Sequence, residues 1–337
     1  MTEYSPKNIL VTGGAGFIGS NYIRYMLKHY GLIRVVNLDK LTYAGSKANL
    51  VGLPAKSDYV FIQGDICDAP LVTSILQQYA IDTLVHFAAE SHVDKSIEAS
   101  KEFVQTNIAG THSLLEACRE YWTEGQGLNF NSCRFHHIST DEVFGSLGES
   151  CPAFSEATAY APNSPYSATK AASDHLVRAW YKTYGLPVTI SHCSNNYGPC
   201  QHSEKFIPTV VNACLNQTKI PVYGDGSNIR DWLYVEDHCA AVDAVIRCGG
   251  IGEAYNIGGL NEWSNLDICQ LICQLMDHRM PDRAPHNKLI QHVADRPGHD
   301  WRYAIDSSKI VDKLGWSPRE TFQTGISKTL DWIIATS

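Results

Sequence analysis

The chain of 337 residues has no Cys-x-x-Cys pair. Its eleven cysteines, an odd number, lie scattered between Cys67 and Cys273. That scatter excludes a disulfide framework and any zinc ligand set of ordinary spacing, so no metal site is expected. Reduced cysteines acting as small hydrophobes are what remains; Cys269 and Cys273, four apart on one helical face, fit that use. Basic charge is also scarce. Lysine and arginine number 27 against 35 acids, a net charge of −8, and the footprint of a nucleic-acid-binding protein is missing. No apolar run approaches a membrane span, and the first residues carry neither the basic nor the apolar region of a secretory leader. Internal repeats and low-complexity linkers are absent as well. The expectation is a cytoplasmic protein with no nucleic-acid or membrane partner.

What is present is apolar and periodic. With 44% hydrophobic and 18% charged residues, the chain can build a core larger than one ordinary domain requires. Residues 8–12, 34–38, 59–62, 83–87 and 133–138 read as short buried strands. Helical patterns run to about His29 and over 69–79 and 100–122, and a helix carrying Tyr166 to Tyr184 leads to a strand at 187–191. Apolar strands alternating with helices predict a parallel sheet covered on both faces. After Asn195 the prolines and the turn Tyr223-Gly-Asp-Gly-Ser227 suggest a smaller lobe, with the chain returning to the first unit near 231–250. The expected organisation is a dinucleotide-binding domain over 1–194 interleaved with a substrate lobe over 195–337.

Gly13-Gly-Ala-Gly-Phe-Ile-Gly19 joins the first strand to the first helix, where glycines allow a tight turn and close approach to a pyrophosphate. Asp39 ends the next strand 20 residues after Gly19, in place to bond ribose hydroxyls and repel a 2′-phosphate, which favours NAD over NADP. Coincidental glycines beside a solvated turn aspartate are the bland alternative. Asp65 and Ile66, and the run Phe87-Ala-Ala-Glu-Ser91 with its small Ala88 and Ala89, close two further strands at the end where ligands bind. Ordinary tight packing would explain them equally well.

Tyr166 and Lys170 in Tyr166-Ser-Ala-Thr-Lys170 share one helical face. The lysine and an oxidised nicotinamide would both lower the tyrosine pKa, making a base for a sugar hydroxyl, with Thr140 bonding the same group. The acids Asp141 and Glu142 follow directly. They could cap a helix start, and on a regular strand they would point to opposite faces; only a bend sends both into one pocket. Paired carboxyls sharing one proton titrate apart, giving one acid and one base.

These motifs resemble the extended short-chain dehydrogenase/reductases, and within them the dTDP-glucose 4,6-dehydratases, over about residues 8–332. The more specific stretches are Ala88-Ala-Glu-Ser-His-Val-Asp94, Ser139-Thr-Asp-Glu-Val143, Cys193-Ser-Asn-Asn-Tyr-Gly-Pro199, Ile229-Arg-Asp-Trp-Leu233 and Asp295-Arg-Pro-Gly-His-Asp300. The resemblance implies a Rossmann-type doubly wound α/β fold with a smaller mixed C-terminal lobe, NAD as cofactor, dTDP-glucose as substrate and a homodimer joined through the helices near 100–122 and 166–184. A UDP-glucose dehydratase or a UDP-sugar 4-epimerase is the nearest alternative; the epimerases lack the Asp-Glu pair.

By the same resemblance Tyr166 takes the 4-hydroxyl proton, Glu142 removes the C5 proton and Asp141 protonates the departing 6-hydroxyl. Gly13, Gly16, Phe17, Ile18, Gly19, Asp39, Asp65, Ile66, Ala88, Ala89, Thr106, Lys170 and Asn196 would hold the cofactor. Ser91, Thr140 and Asn195 would touch the sugar or diphosphate. Lys205, Arg230, Arg296 and His299 would surround the diphosphate; Phe206, Pro221, Tyr223 and Asn265 would lie on the nucleoside side. For Arg230 a salt bridge with Asp231 or a neighbour is the structural alternative. Phe144, His192, Trp301 and the segment 200–204 depart from the family pattern.

Overall fold

The computed structural model describes residues 3–53, 58–124, 130–295 and 300–337. In chain order the elements are β1 (Asn8–Thr12), α1 (Phe17–His29), β2 (Arg34–Asp39), β3 (Asp58–Gln63), α2 (Ala69–Gln78), β4 (Thr83–His86), α3 (Val93–Glu98), α4 (Ser100–Phe103) and α5 (Thr111–Glu124). There follow β5 (Arg134–Thr140), α6 (Pro165–Tyr184), β6 (Val188–Cys193), β7 (Asn195–Tyr197), α7 (Phe206–Asn216), β8 (Ile220–Tyr223), β9 (Ile229–Tyr234) and α8 (Val235–Cys248). The chain ends with β10 (Ala254–Ile257), β11 (Glu262–Ser264), α9 (Asn265–Arg279), β12 (Ile290–Val293), α10 (Ser308–Leu314) and α11 (Phe322–Thr336).

Seven strands form one parallel sheet in the order β10-β6-β5-β4-β1-β2-β3. Its central strands are buried on both sides. Alternate residues of β1 serve opposite layers: Ile9 and Val11 pack with Tyr22, Ile23, Val242 and Val245, while Leu10 packs with Val36, Leu114 and Val177. Helices therefore cover both faces, and the architecture is Rossmann-type. The strand order reverses at β1, between β4 and β2, and a crevice opens at the carboxyl ends there.

Two features go beyond the sequence expectation. The seventh strand, β10, returns late to the sheet edge beside β6; its Asn256 is fully buried and donates its side-chain amide to the Phe154 carbonyl at 2.8 Å. The helix expected over 100–122 is real but interrupted, because residues Val104–Gly110 form a π-turn between α4 and α5. Beyond the main sheet, β11, β9 and β7 make a three-stranded sheet and β12 pairs with β8. Behind β9, α7, α9 and α11 share an apolar core with Trp232 and Phe322, in which Cys214, Cys269 and Cys273 are fully buried. Those cysteines pack, as expected.

Candidate active site

The glycine loop after β1 is shaped by contacts that leave no room for side chains. Gly13 adopts φ +72°, and a Cβ there would lie 2.6 Å from the Ala88 amide nitrogen. A Cβ on Gly19 would lie 2.4 Å from the Gly13 carbonyl oxygen. The loop amides are placed by β2: Gly14 donates to Asn37 Oδ1 at 3.1 Å, and Ala15 to Asp39 Oδ2 at 2.8 Å. The N-cap of α1 is Gly16, which offers no side-chain cap, so the amides of the first turn face the crevice. A cradle of this form, with Asp39 at its rim, fits a dinucleotide. Asp39 Oδ1 also accepts from the Leu41 amide at 2.7 Å, so its role in holding the loop accompanies any role toward a ribose.

Glycine loop, strand ends and the β5 turn line one cavity of about 320 Å³. Gly13, Gly16, Phe17, Ile18, Gly19, Asp39, Asp65, Ile66, Ala88, Ala89, Thr106, Lys170 and Asn196 all line it, as do Ser91, Thr140, Asp141, Glu142, Tyr166, Asn195 and Lys205. Lys40, Glu90, Gln201 and His202 line it too and were not anticipated. Lys40 had a visible signal, being adjacent to Asp39 at the strand end; it pairs with Asp65 at 2.8 Å.

The acids reach the cavity because β5 stops at Thr140. Thr140 is extended (φ −137°, ψ 152°), and its hydroxyl accepts from the Glu142 amide at 3.3 Å, capping a 3₁₀ turn over Asp141–Phe144. The helix-start geometry that seemed an alternative to catalysis is thus the bend that brings both acids to one pocket. Asp141 is 2% exposed. Burial first, then the Glu142 and Asp231 carboxylates, push it well above the usual carboxylate range.

Ser164 and Ser167 form a capping box that starts α6, with Pro165 in its first turn, and fix the register of Tyr166 and Lys170. The expected lowering of the tyrosine pKa counts on the charge of an oxidised nicotinamide as well as the lysine; in the unloaded site burial, followed by Glu142, Cys193 and Asp141, pushes Tyr166 well up, and the hydrogen bond with Thr140 opposes this. The Lys170 ammonium turns to β5: Nζ donates to the Ile138 carbonyl at 2.7 Å and lies 3.4 Å from His137 Nε2.

Other sequence candidates lie away from this cavity. Phe206 opens α7 and packs on Trp232; Pro221 and Tyr223 sit on β8, and Asn265 opens α9. Arg230 is 6% exposed and donates to the Asp300 carbonyl at 2.8 Å, with its guanidinium 4.3 Å from the Tyr303 ring centroid. Asp231 instead accepts the amides of Gly259 and Asn261, at 2.7 and 2.6 Å. Arg296 and His299 fall outside the described residues. Two departures from the family pattern, Phe144 and His192, meet at 5.0 Å between ring centroids and pack with Tyr160. Among the described residues no cluster could hold a metal, and no helix is long and apolar enough to cross a membrane.

Residues 10–329 match the family model described as GDP-mannose 4,6 dehydratase. The chain is 53% identical over 327 residues to the dTDP-glucose 4,6-dehydratase of Xanthomonas campestris pv. campestris strain B100, covering 96% of this chain and 92% of the relative. The chain belongs to the dTDP-glucose 4,6-dehydratase family. A second dehydratase of this family, dTDP-glucose 4,6-dehydratase 1 of Escherichia coli K12, is 52% identical over 335 residues, 97% of this chain and 92% of that protein. The fold agrees as closely. The Streptomyces venezuelae dTDP-glucose 4,6-dehydratase, solved with NAD bound, superposes with a TM-score of 0.89 at 41% identity, covering 97% of each chain.

Proposed function

We propose that the chain dehydrates dTDP-glucose to dTDP-4-keto-6-deoxyglucose, with NAD used and regenerated within each turnover. The observation that carries this is the capped turn after β5, which puts Asp141 and Glu142 in the cavity that Tyr166 and Lys170 line. Tyr166 and Lys170 alone would serve an alcohol oxidation; the acid pair adds elimination.

Bound NAD supplies a hydride acceptor and donor, and the glycine loop, Asp39 and Lys170 are the groups that would hold it. The remaining chemistry belongs to side chains. A buried Asp141 kept neutral can give its proton to the departing 6-hydroxyl. Glu142 is the neighbouring base for the C5 proton, which a 4-keto group acidifies. Tyr166 is a neutral phenol in the unloaded site; as the phenolate, which cationic charge in the loaded site would favour against the nearby acids, it takes the proton of the 4-hydroxyl that Thr140 also bonds.

Ser91, Asn195 and Lys205 lie at the cavity end toward the C-terminal lobe, and Lys205 Nζ donates to the Ser91 carbonyl at 3.4 Å. A diphosphate would meet Lys205 there, with the nucleoside beyond it toward β8 and α9, and that division of labour is the domain organisation we favour. Two copies would join through α4–α5 and α6, where Val104 and Tyr184 are 48% exposed. Light scattering on the purified protein would test that.

Incubation with dTDP-glucose, and separately UDP-glucose, in deuterated water followed by mass spectrometry tests the reaction. Loss of one water with solvent deuterium at C5 and no net consumption of NAD supports it, and relative rates rank the nucleotides. A product of unchanged mass and altered stereochemistry would mean an epimerase instead.

A further inference from the structure

Behind the site lies a buried polar cluster that the reaction as described does not use. On α6, Tyr166, Lys170 and Asp174 follow one another at intervals of four and share a face. Asp174 is 1% exposed, and four side chains converge on its carboxylate. Ser139 Oγ donates to Oδ2 at 2.8 Å and the Tyr160 hydroxyl at 3.0 Å, while His192 Nε2 lies 3.2 Å from the same oxygen. The other oxygen, Oδ1, faces His137 Nε2 at 3.3 Å. That ring nitrogen is the group standing 3.4 Å from Lys170 Nζ.

We infer that Asp174, one turn along α6 from Lys170, is a positioning residue whose carboxylate charge holds Lys170 in the cavity as an ammonium. The inference rests on the site assignment made above for Lys170. Its physical basis is the cost of burial. Lys170 is 4% exposed, and the acceptor nearest its Nζ is a neutral carbonyl, that of Ile138. A buried ammonium so placed tends to shed its proton unless a negative charge lies near.

The groups facing Lys170 come from every element around it: His86 on β4, His137 on β5, Cys193 and His192 on β6, Asp141 and Glu142 on the turn after β5, Tyr166 and Asp174 on its own helix. His86 and His137 stay uncharged here, held down by burial and by the charges around them. Burial and the lysine hold His137 down at about 4, so it stands neutral between the ammonium and the carboxylate. Burial pulls Lys170 down to about 8, and Asp174 acts upward against it. Burial would raise Asp174, yet its bonds from His137 and His192 hold it below the usual carboxylate range, so it is charged whenever the lysine needs it.

Ser139, Tyr160 and His192 would anchor the carboxylate to β5, β6 and the Tyr160 loop whatever the lysine did. A purely structural role and a positioning role therefore separate in one measurement: the titration of the lysine itself. Competitive acetylation of the intact protein from about pH 6 to 10, with the Lys170 peptide quantified by mass spectrometry, gives its half-point directly.

In Asp174→Asn the half-point should move down by about one pH unit or more, and in Asp174→Glu it should largely return. The alkaline limb of dTDP-glucose turnover by NAD-loaded protein should move the same way. A half-point and limb that stay in place while Tm or kcat falls would overturn the inference. Should Asp174→Asn fail to fold, Asp174→Ser removes the same charge with a smaller polar side chain; it should move the half-point down, and an unmoved one overturns the inference equally. Absence of turnover in the native protein would defeat the proposed reaction instead and leave the labelling result to decide this one.

Discussion

Asn107 and Glu90 exchange two hydrogen bonds: the Glu90 amide donates to Asn107 Oδ1 at 2.9 Å, and Asn107 Nδ2 donates to the Glu90 carbonyl at 3.0 Å. The same Nδ2 reaches Thr169 Oγ1 at 2.9 Å, one residue before Lys170. Asn107 lies in the π-turn between α4 and α5, where the looser winding aims a 2%-exposed amide at the strand end. It ties the segment after β4 to α6, and both line the cavity. Asn107→Ala leaves buried backbone groups unpaired and should cost about 1–3 kcal/mol of stability in urea unfolding. NAD retention through gel filtration should fall with it. Unchanged retention would mean that this tie does not shape the cofactor side of the cavity.

Asp141 carries an opposing pair of predictions. Burial and its acidic neighbours raise its pKa on folding, so the fold loses stability as pH climbs from the ordinary carboxylate range toward the raised value. Asp141→Asn removes that slope. The variant should melt above the native protein near pH 8, with the gap closing toward about pH 4. Release of water should nevertheless slow by about 10²–10⁴-fold, the usual worth of a positioned acid. Identical melting at both pH values would mean that Asp141 is ionised without cost and is not the proton donor.

The glycine loop yields a sharper steric prediction. Gly13 combines φ +72° with a backbone contact that a Cβ would bring to 2.6 Å, and the neighbour is the Ala88 amide rather than a side chain that could swing away. Gly13→Ala should therefore force β1 and β4 apart at their carboxyl ends and abolish NAD retention. Far-ultraviolet circular dichroism should change little, since the sheet core lies below. Gly31→Ala, where a Cβ meets nothing within 4 Å, is the control and should keep NAD. Equal retention in the two variants would remove the loop from the cofactor site.

Much of this arrangement was readable from residue order because its signals are local. Five or six apolar residues between turn signals mark a doubly buried strand, and β1, β2, β4 and β5 fall within a residue or two of that reading. The tie between Asn107 and Glu90 spans 17 positions with no spacing rule, and the cluster on Asp174 joins residues 35, 14 and 18 positions apart across β5, a loop and β6. β10 was missed because Asn256 breaks its apolar run, and its polarity is met by Phe154, 102 positions away. The orientation of Lys170 was also beyond reach. Helical spacing puts it on the face of Tyr166, but the Ile138 carbonyl decides where its ammonium goes.

Arg230 gives the last prediction, because the sequence offers it as a ligand for a diphosphate while the structure shows it donating to three backbone carbonyls. Its NH1 donates to the Ile229 carbonyl at 2.7 Å and the Trp301 carbonyl at 3.2 Å, and its NH2 to the Asp300 carbonyl at 2.8 Å, over the Tyr303 ring. These contacts staple the 300–303 segment to β9, where the Tyr303 amide also donates to the Ile229 carbonyl and the Ile229 amide to the Trp301 carbonyl. A planar fork can satisfy several carbonyls at once; a lysine ammonium on a longer-swinging stem cannot copy that geometry. Arg230→Lys should therefore cost about 1–3 kcal/mol of stability in substrate-free protein, read by urea unfolding. If the guanidinium also meets the substrate's diphosphate, KM for dTDP-glucose rises with kcat nearly unchanged. A variant as stable as the native protein would show that the staple contributes nothing, and the segment would then be held by its other bonds, among them those of Tyr303 to β9 and of Arg302 to Glu262.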